Sequence, residues 1–168
     1  MQNSMLKFSK YGEDTLGEGG NAFTAVAYVI DWLGVFPEEY DGYDELGKIS
    51  SLYITPNDIH LQNVVVIPQI KNAEDRDLIK NALINYGAVA ASHRADFNKT
   101  KYFNESNSAQ YCYDANESTH RICIVGWDDN YSRNNFLKTP EGDGAWICKN
   151  SWGTNWGDEG YFYLSYYD

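Results

Sequence analysis

Basic residues are scarce in this chain of 168 residues: 13 Lys and Arg stand against 24 Asp and Glu, for a net charge of −11. A phosphate backbone is repelled by such a surface unless a local basic patch intervenes. The Lys and Arg are scattered without forming a stripe, so no nucleic-acid partner is expected. Long apolar runs are also lacking. The longest, Ala22 to Ile30, is interrupted by Thr24 and falls well short of the ~18 residues that a membrane-spanning helix needs, so no membrane span is expected. Met1 to Lys10 lacks the charged-then-apolar layout of a signal peptide, which constrains little if the chain is a fragment. Cysteine occurs only three times, as Cys112, Cys123 and Cys148. An odd count without C-x-x-C spacing argues against a closed disulfide framework and against a zinc site. Free, mostly buried thiols are expected, with one bridged pair as the alternative, and neither metal nor cofactor is implied.

What remains is an ordinary globular composition, 43% hydrophobic and 22% charged, long enough for one domain with a core and short for two. The 14 tyrosines suit aromatic-rich strands and a peptide-binding cleft equally, and do not discriminate. Apolar residues at 22, 26, 29, 30 and 33 predict a helix over 22–33, with Asn21 as N-cap and Gly34 as its end. Residues 35–60, with Pro37 and Pro56, read as a surface excursion. Val64 to Ile67, closed by Pro68, predicts a short strand. Asn72 is placed to cap a second helix whose stripe is Leu78, Ile79, Ala82, Leu83 and Tyr86, stopped by Gly87. A small-residue strand over 88–92 follows, then an irregular polar stretch over 94–118. Three strands at about 119–127, 144–150 and 159–166 complete the chain. Helices first and strands afterwards indicate α+β rather than alternating α/β.

Two segments carry chemistry. One is Ser118-Thr119-His120-Arg121-Ile122-Cys123-Ile124-Val125-Gly126-Trp127, a His opening an apolar strand that ends in Gly-aromatic. The other is Lys149-Asn150-Ser151-Trp152-Gly153-Thr154-Asn155-Trp156-Gly157, followed by Gly160-Tyr161. Taken singly, a His at a strand start is usually a satisfied surface residue, and Trp in a Gly-rich loop usually only packs. Taken together and in this order, they resemble the His and Asn motifs of the papain family of cysteine peptidases. The resemblance extends over about residues 15–168, since Gly19-Gly20 before a helix is similar to the Gly-Gly stretch along the family's substrate cleft. Asp128-Asp129-Asn130-Tyr131 and the tyrosine-rich end look more like bacterial or archaeal members than animal or plant ones.

The resemblance implies an α+β papain-like fold, with part of a helical left subdomain and an antiparallel, barrel-like right one. It implies peptide-bond hydrolysis on a peptide or protein substrate by a thiolate whose pKa a neighbouring imidazolium lowers to roughly 3–4. His120 matches the imidazole, which later protonates the leaving amine. Asn150 matches the neutral amide that orients the imidazole, and Trp152 the indole that covers their hydrogen bond. Gly19, Gly20 and Arg121 match substrate-contacting positions. The family often has a small residue where Arg121 stands, so this side chain would alter the pocket for the substrate's second residue. Gly17 stands where the family often has a disulfide-forming Cys, so that bridge is not expected. The full-length protein is expected to be secreted or on the cell surface.

The family's nucleophile lies in a Cys-Gly-(Ser/Ala)-Cys-(Trp/Tyr) context about 130–150 residues before the His and Asn, which falls ahead of Met1. The motif is absent here, as is the upstream Gln that helps bind the oxyanion. Cys123 is offset by three from His120 on an extended strand and points to the other face. Cys148 shares a face with Asn150 but lies deeper, and Cys112 sits in a polar loop. The chain alone is therefore expected to be inactive and to have an upstream Cys-bearing segment of the same enzyme as its partner. Three explanations stay open: a piece of a longer protein, one chain of a processed enzyme, or a non-catalytic peptide-binding relative. Among weaker signals, Asp128, Asn130 and Ser132 alternate like a calcium loop, but Arg133 occupies the glycine position and no Glu closes it. A solvated turn is expected there. The triplets beginning at Asn98, Asn104 and Asn116 match the glycosylation pattern and read as loop residues.

Overall fold

The computed structural model describes residues 22–32, 34, 35, 37, 39, 59–96, 101–114 and 117–168. The chain divides into two compact units, Met1–Val66 and Ile67–Asp168. In the first, helix α1 spans Ala22–Ile30 and buries Tyr28 and Val29. It stops short of the expected end at Gly34. Asp31 and Trp32 form a turn in which Trp32 already has φ 60°, and Gly34 follows in the same left-handed region at φ 72°. The N–H of Val35 donates to the carbonyl of Ile59 at 2.9 Å, and the N–H of Ile59 returns the bond at 2.8 Å.

The expected strand over Val64–Ile67 is not formed. These residues belong to no strand and have no ladder partner among the described residues, and Val66 is 74% exposed. β-Branched residues favour extended backbone, but a strand exists only where another pairs with it.

In the second unit, helix α2 spans Arg76–Tyr86. It begins later than expected because Asn72 caps the preceding turn: its Oδ1 accepts the Asp75 N–H at 3.0 Å, and Asp75 Oδ2 accepts the Lys71 N–H at 2.9 Å. Ile79 and Ala82 are buried, whereas Leu78 and Tyr86 at the edges of the stripe are exposed. Gly87 ends the helix as expected, at φ 91°, its N–H donating to the carbonyl of Leu83.

Six strands form one sheet: β1 (Val89–His93), β2 (Phe103–Asn104), β3 (Ala109–Gln110), β4 (His120–Asp128), β5 (Ala145–Lys149) and β6 (Tyr161–Ser165). Their order is β1-β4-β5-β6-β3-β2. Every pairing is antiparallel except that of β3 with β6, which is parallel. The two-residue strands β2 and β3 lie in the stretch expected to be irregular. The segment entering β2 is held by Asp96, buried, whose Oδ2 accepts the N–H groups of Lys101, Tyr102 and Phe103 at 3.0, 2.6 and 3.1 Å. The core joins Ile79 of α2 to Phe103, Ile122, Ile124, Trp146, Cys148, Phe162 and Leu164 of the sheet.

None of the three cysteines is in a disulfide. Cys112 is buried rather than displayed on a polar loop, its N–H donating to Asp168 Oδ2 at 2.6 Å. Burial raises the Cys148 thiol far above its ordinary pKa, which leaves it protonated. The Asp128 segment is a turn: Asp128 Oδ1 accepts the Asn130 N–H at 2.8 Å, and Ser132 caps a short 3-10 turn over Arg133–Asn135. Among the described residues no cluster of His, Cys, Asp and Glu could hold a metal ion, and no helix is long and apolar enough to cross a membrane.

Candidate active site

His120 opens β4 and Asn150 follows the last residue of β5, so two neighbouring strands deliver the two side chains to one end of the sheet. The loop after β5 is tied back by the Asn150 N–H, which donates to the Gly160 carbonyl at 2.9 Å. Asn150 is buried, with 8% of its surface exposed.

The side chains meet: His120 Nε2 lies 2.8 Å from Asn150 Oδ1. The same Oδ1 is 2.8 Å from the backbone N–H of Ser151. A backbone N–H only donates, so the atom it meets must be the amide oxygen, and the orientation of the Asn150 amide follows. An amide oxygen only accepts, so His120 Nε2 carries a proton. Proton exchange with any reacting group then falls to Nδ1. The Asn150 Nδ2 is buried without a hydrogen-bond partner.

Trp152 lies against the imidazole, ring centroids 4.8 Å apart and planes inclined by 31°. Its edge contacts Trp156 at 4.9 Å, and Trp156 in turn packs on Phe103 and Phe162 of the core. The two indoles reach these positions because the loop turns on glycines. Gly157 has φ 62°, and a Cβ there would lie 2.3 Å from the Tyr161 carbonyl oxygen. Only glycine fits both demands.

Arg121, next in the chain, points to the other face of β4. It is exposed and donates to Ser92 Oγ at 2.5 Å, Ser92 being its register partner on β1. A cleft of about 1170 Å³ along β1 is lined by Arg121, Ser92 and His93, but not by His120 or Asn150. Gly19 and Gly20, and Asn21 with them, lie outside the described residues. Cys123 is half-buried and turned to the face opposite His120, and Cys148 is fully buried.

Two polar residues beside the pair were passed over in the sequence. His93 closes β1, one residue beyond the expected strand end, and is the register partner of His120. Gln110 on β3 reaches it, its Nε2 lying 2.9 Å from His93 Nδ1. The available signal was alternation, since Val89, Ala91 and His93 share the inward face of β1.

The model of the papain family cysteine protease matches residues 5–167. The chain is 28% identical over 163 residues to a cathepsin L-like peptidase of Aedes aegypti, covering 95% of this chain and 43% of the relative. Among solved structures it resembles the clostridial cysteine protease Cwp84 after propeptide cleavage, with a TM-score of 0.71 and 34% identity over 89% of this chain and 37% of that one. A digestive procathepsin L 3 of Tenebrio molitor shares the fold, with a TM-score of 0.68 at 24% identity over 97% of this chain and 48% of that one. The chain thus spans less than half the length of these relatives. The α+β architecture is that of the papain-like cysteine proteases, and the chain belongs to the papain family.

Proposed function

We propose that the chain supplies the imidazole and the orienting amide of a papain-type thiol peptidase, residues 1–168 being such a catalytic domain without its Cys-bearing segment. The observation that carries this is the 2.8 Å contact between His120 Nε2 and Asn150 Oδ1, with the oxygen identified by the Ser151 N–H. Asn150 holds the proton on Nε2 and turns Nδ1 toward the reacting sulfur. His120 Nδ1 takes the thiol proton, and the thiolate adds to the peptide carbonyl. The resulting imidazolium gives the proton to the departing amine, leaving an acyl-enzyme thioester. Water, deprotonated by the same nitrogen, then releases the acid. Trp152 keeps bulk water from competing for the His120–Asn150 bond.

The substrate is a peptide or an unfolded protein segment. Gly19 and Gly20 contact its backbone, by their likeness to the family's Gly-Gly stretch. Arg121 is assigned to the substrate's second residue by its likeness to the family position after the catalytic His; its side chain leaves β4 on the face opposite His120, where Ser92 holds it. The 34% identity to Cwp84, described in a second structure as a surface layer associated protein of Clostridium difficile, supports a bacterial origin and a secreted or cell-surface setting. Detection of the native protein only in a cytosolic fraction would overturn that setting.

The decisive experiment joins this chain to the coding sequence upstream of Met1, in cis or in trans. Alone, the chain is expected to show no turnover of fluorogenic dipeptide amides and no labelling by a thiol-capturing epoxide. With the upstream segment, both are expected, and both are expected to vanish in His120→Ala. Tight peptide binding without turnover in the joined protein would instead establish a peptide-binding module. Epoxide labelling of Cys112, Cys123 or Cys148 that depends on His120 would refute the upstream nucleophile.

A further inference from the structure

The buried imidazole of His93 has no part in the reaction just described, and it stands directly beside His120. The two are cross-strand partners on β1 and β4, with ring centroids 5.7 Å apart and planes at 66°. The pair is stitched by the Thr119 N–H, which donates to the His93 carbonyl at 3.0 Å. His93 is 5% exposed, and Phe162 of β6 packs on its ring at 5.4 Å.

Gln110 decides the protonation state of His93. Its Nε2 makes a short contact with the Arg94 carbonyl oxygen, which accepts only, so this atom is the amide nitrogen. Its second hydrogen is then donated to His93 Nδ1 at 2.9 Å. An Nδ1 that accepts a hydrogen bond carries no proton, so neutral His93 has its proton on Nε2. That Nε2 is buried and has no hydrogen-bond partner. A second proton would have to displace the Gln110 donor inside the core.

We propose that His93 is a positioning residue for His120, locked by Gln110 as the neutral Nε2–H tautomer so that the single positive charge of the paired imidazoles resides on His120. This rests on the catalytic reading of His120. The thiolate mechanism needs an imidazolium at His120, and a second cation on His93 would oppose it. Two unit charges at this spacing repel by about 2 pH units at an effective dielectric near 20. Of the described groups packed on His93, Gln110 from β3 and Phe162 from β6 are neutral, and His120 from β4 is ionisable. The guanidinium of Arg121 is engaged with Ser92 on the opposite face. Burial, and then the charge of His120, push the His93 pKa down to about 4. Among the described residues no carboxylate is a cause of this shift. The edge-on contact also fills the space beside the His120 ring, so the neutral imidazole braces the ring without adding charge.

The test is NMR of the chain carrying ¹⁵N-labelled histidine, in which only His60, His93 and His120 report. His93 is expected as the Nε2–H tautomer and neutral down to about pH 4. In Gln110→Leu, Nδ1 becomes available, and His93 is expected to take its proton at about tenfold lower acidity. The His120 Nε2–H signal should shift over that same pH range. In His93→Leu, the low-pH movement of the His120 signal should disappear. A merely structural His93 would predict neither change. If buried Gln110→Leu does not fold, His93→Leu carries the test alone. A His93 with its proton on Nδ1, a His93 titration indifferent to Gln110→Leu, or a His120 signal blind to His93 protonation would each overturn the proposal. An absent His120 Nε2–H···Asn150 bond, unchanged by Asn150→Ala, would sink the catalytic reading instead. The His93 signals would still report on Gln110 by themselves.

Discussion

The ring of Phe103 lies nearly flat against that of Trp156, with centroids 4.9 Å apart and planes inclined by 27°. From Trp156 the contacts continue to Trp152 and from Trp152 to His120, so the imidazole stands on a column of rings rooted in the core. Phe103→Ala opens a cavity under that column. Large-to-small changes of a buried aromatic cost about 3–5 kcal/mol, and Phe103 is 3% exposed. We expect a loss of that size in chemical denaturation, together with faster exchange of the His120 Nε2–H. Trp156→Phe should be milder, because it keeps an aromatic ring in the column and removes an indole N–H that is buried without a partner. Equal losses in the two variants would mean that the column does not transmit packing to the site.

The glycines of the Trp loop separate backbone strain from collision. Gly153 has φ 83° with nothing within 4 Å of an added Cβ, whereas at Gly157, φ 62°, that Cβ meets the Tyr161 carbonyl at 2.3 Å. Gly153→Ala is therefore expected to cost about 1–2 kcal/mol, the price of a left-handed non-glycine residue. Gly157→Ala should cost clearly more, since the carbonyl it strikes accepts the Asp158 N–H and cannot move without breaking that bond. Thermal melting of the two variants reads the difference, and equal melting temperatures would contradict it.

The features legible in the sequence were the locally encoded ones. Gly87 ends α2 where a left-handed glycine should, and Ile79 and Ala82 turn inward on a helical stripe. His120 and Asn150 come together because they sit at the ends of strands whose pairing the apolar runs already announce, and Trp152 follows in the loop after β5. The illegible features depend on distant partners. Val64 to Ile67 has the composition of a strand but no pairing partner among the described residues. Residues 103–104 and 109–110 have no strand composition, yet they pair because Asp96 gathers three N–H groups and places Phe103 in the core. His93 falls between the strand expected over 88–92 and the polar stretch expected over 94–118. Its burial follows from Gln110 and Phe162, which lie 17 and 69 positions away in the chain.

Burial of His93 has a pH signature of its own. Its folded-state pKa, about 4, lies below the ordinary 6.5 of an unfolded chain. The unfolded state therefore gains a proton first as the solution is acidified. The stability associated with neutral His93 is complete above about pH 6.5, is lost progressively between there and pH 4, and amounts to about 3 kcal/mol at most. Asp168 acts in the opposite sense, since the protein around its carboxyl pushes that pKa up to about 7. It lies at the surface as a residue, so its contribution is the smaller one. The difference between the native chain and His93→Leu isolates His93. The native chain should lose stability relative to the variant between pH 6.5 and 4, and parallel curves across that range would refute the assignment.

Apolar side chains of the first unit are unusually open to solvent. Phe23 and Ile30 of α1 are 78% and 68% exposed, and Trp32, Ile59, Val65 and Val66 are exposed as well. Each hundred Å² of such surface left in water forgoes roughly 2.5 kcal/mol, so a few hundred approach the net stability of a whole domain. Apolar side chains exposed on this scale are ordinarily covered by another protein surface. We expect the isolated chain to self-associate, and Phe23→Ser combined with Ile30→Ser to reduce that association without weakening the second unit, whose core contains neither residue. If the Cys-bearing segment is the natural cover, adding it in trans should also restore a monodisperse species and raise the melting temperature. Light scattering and thermal melting, with and without that segment, measure both effects. A monodisperse monomer that melts cooperatively and ignores the added segment would show that the α1 face needs no cover, and would favour a peptide-binding module over half of an enzyme.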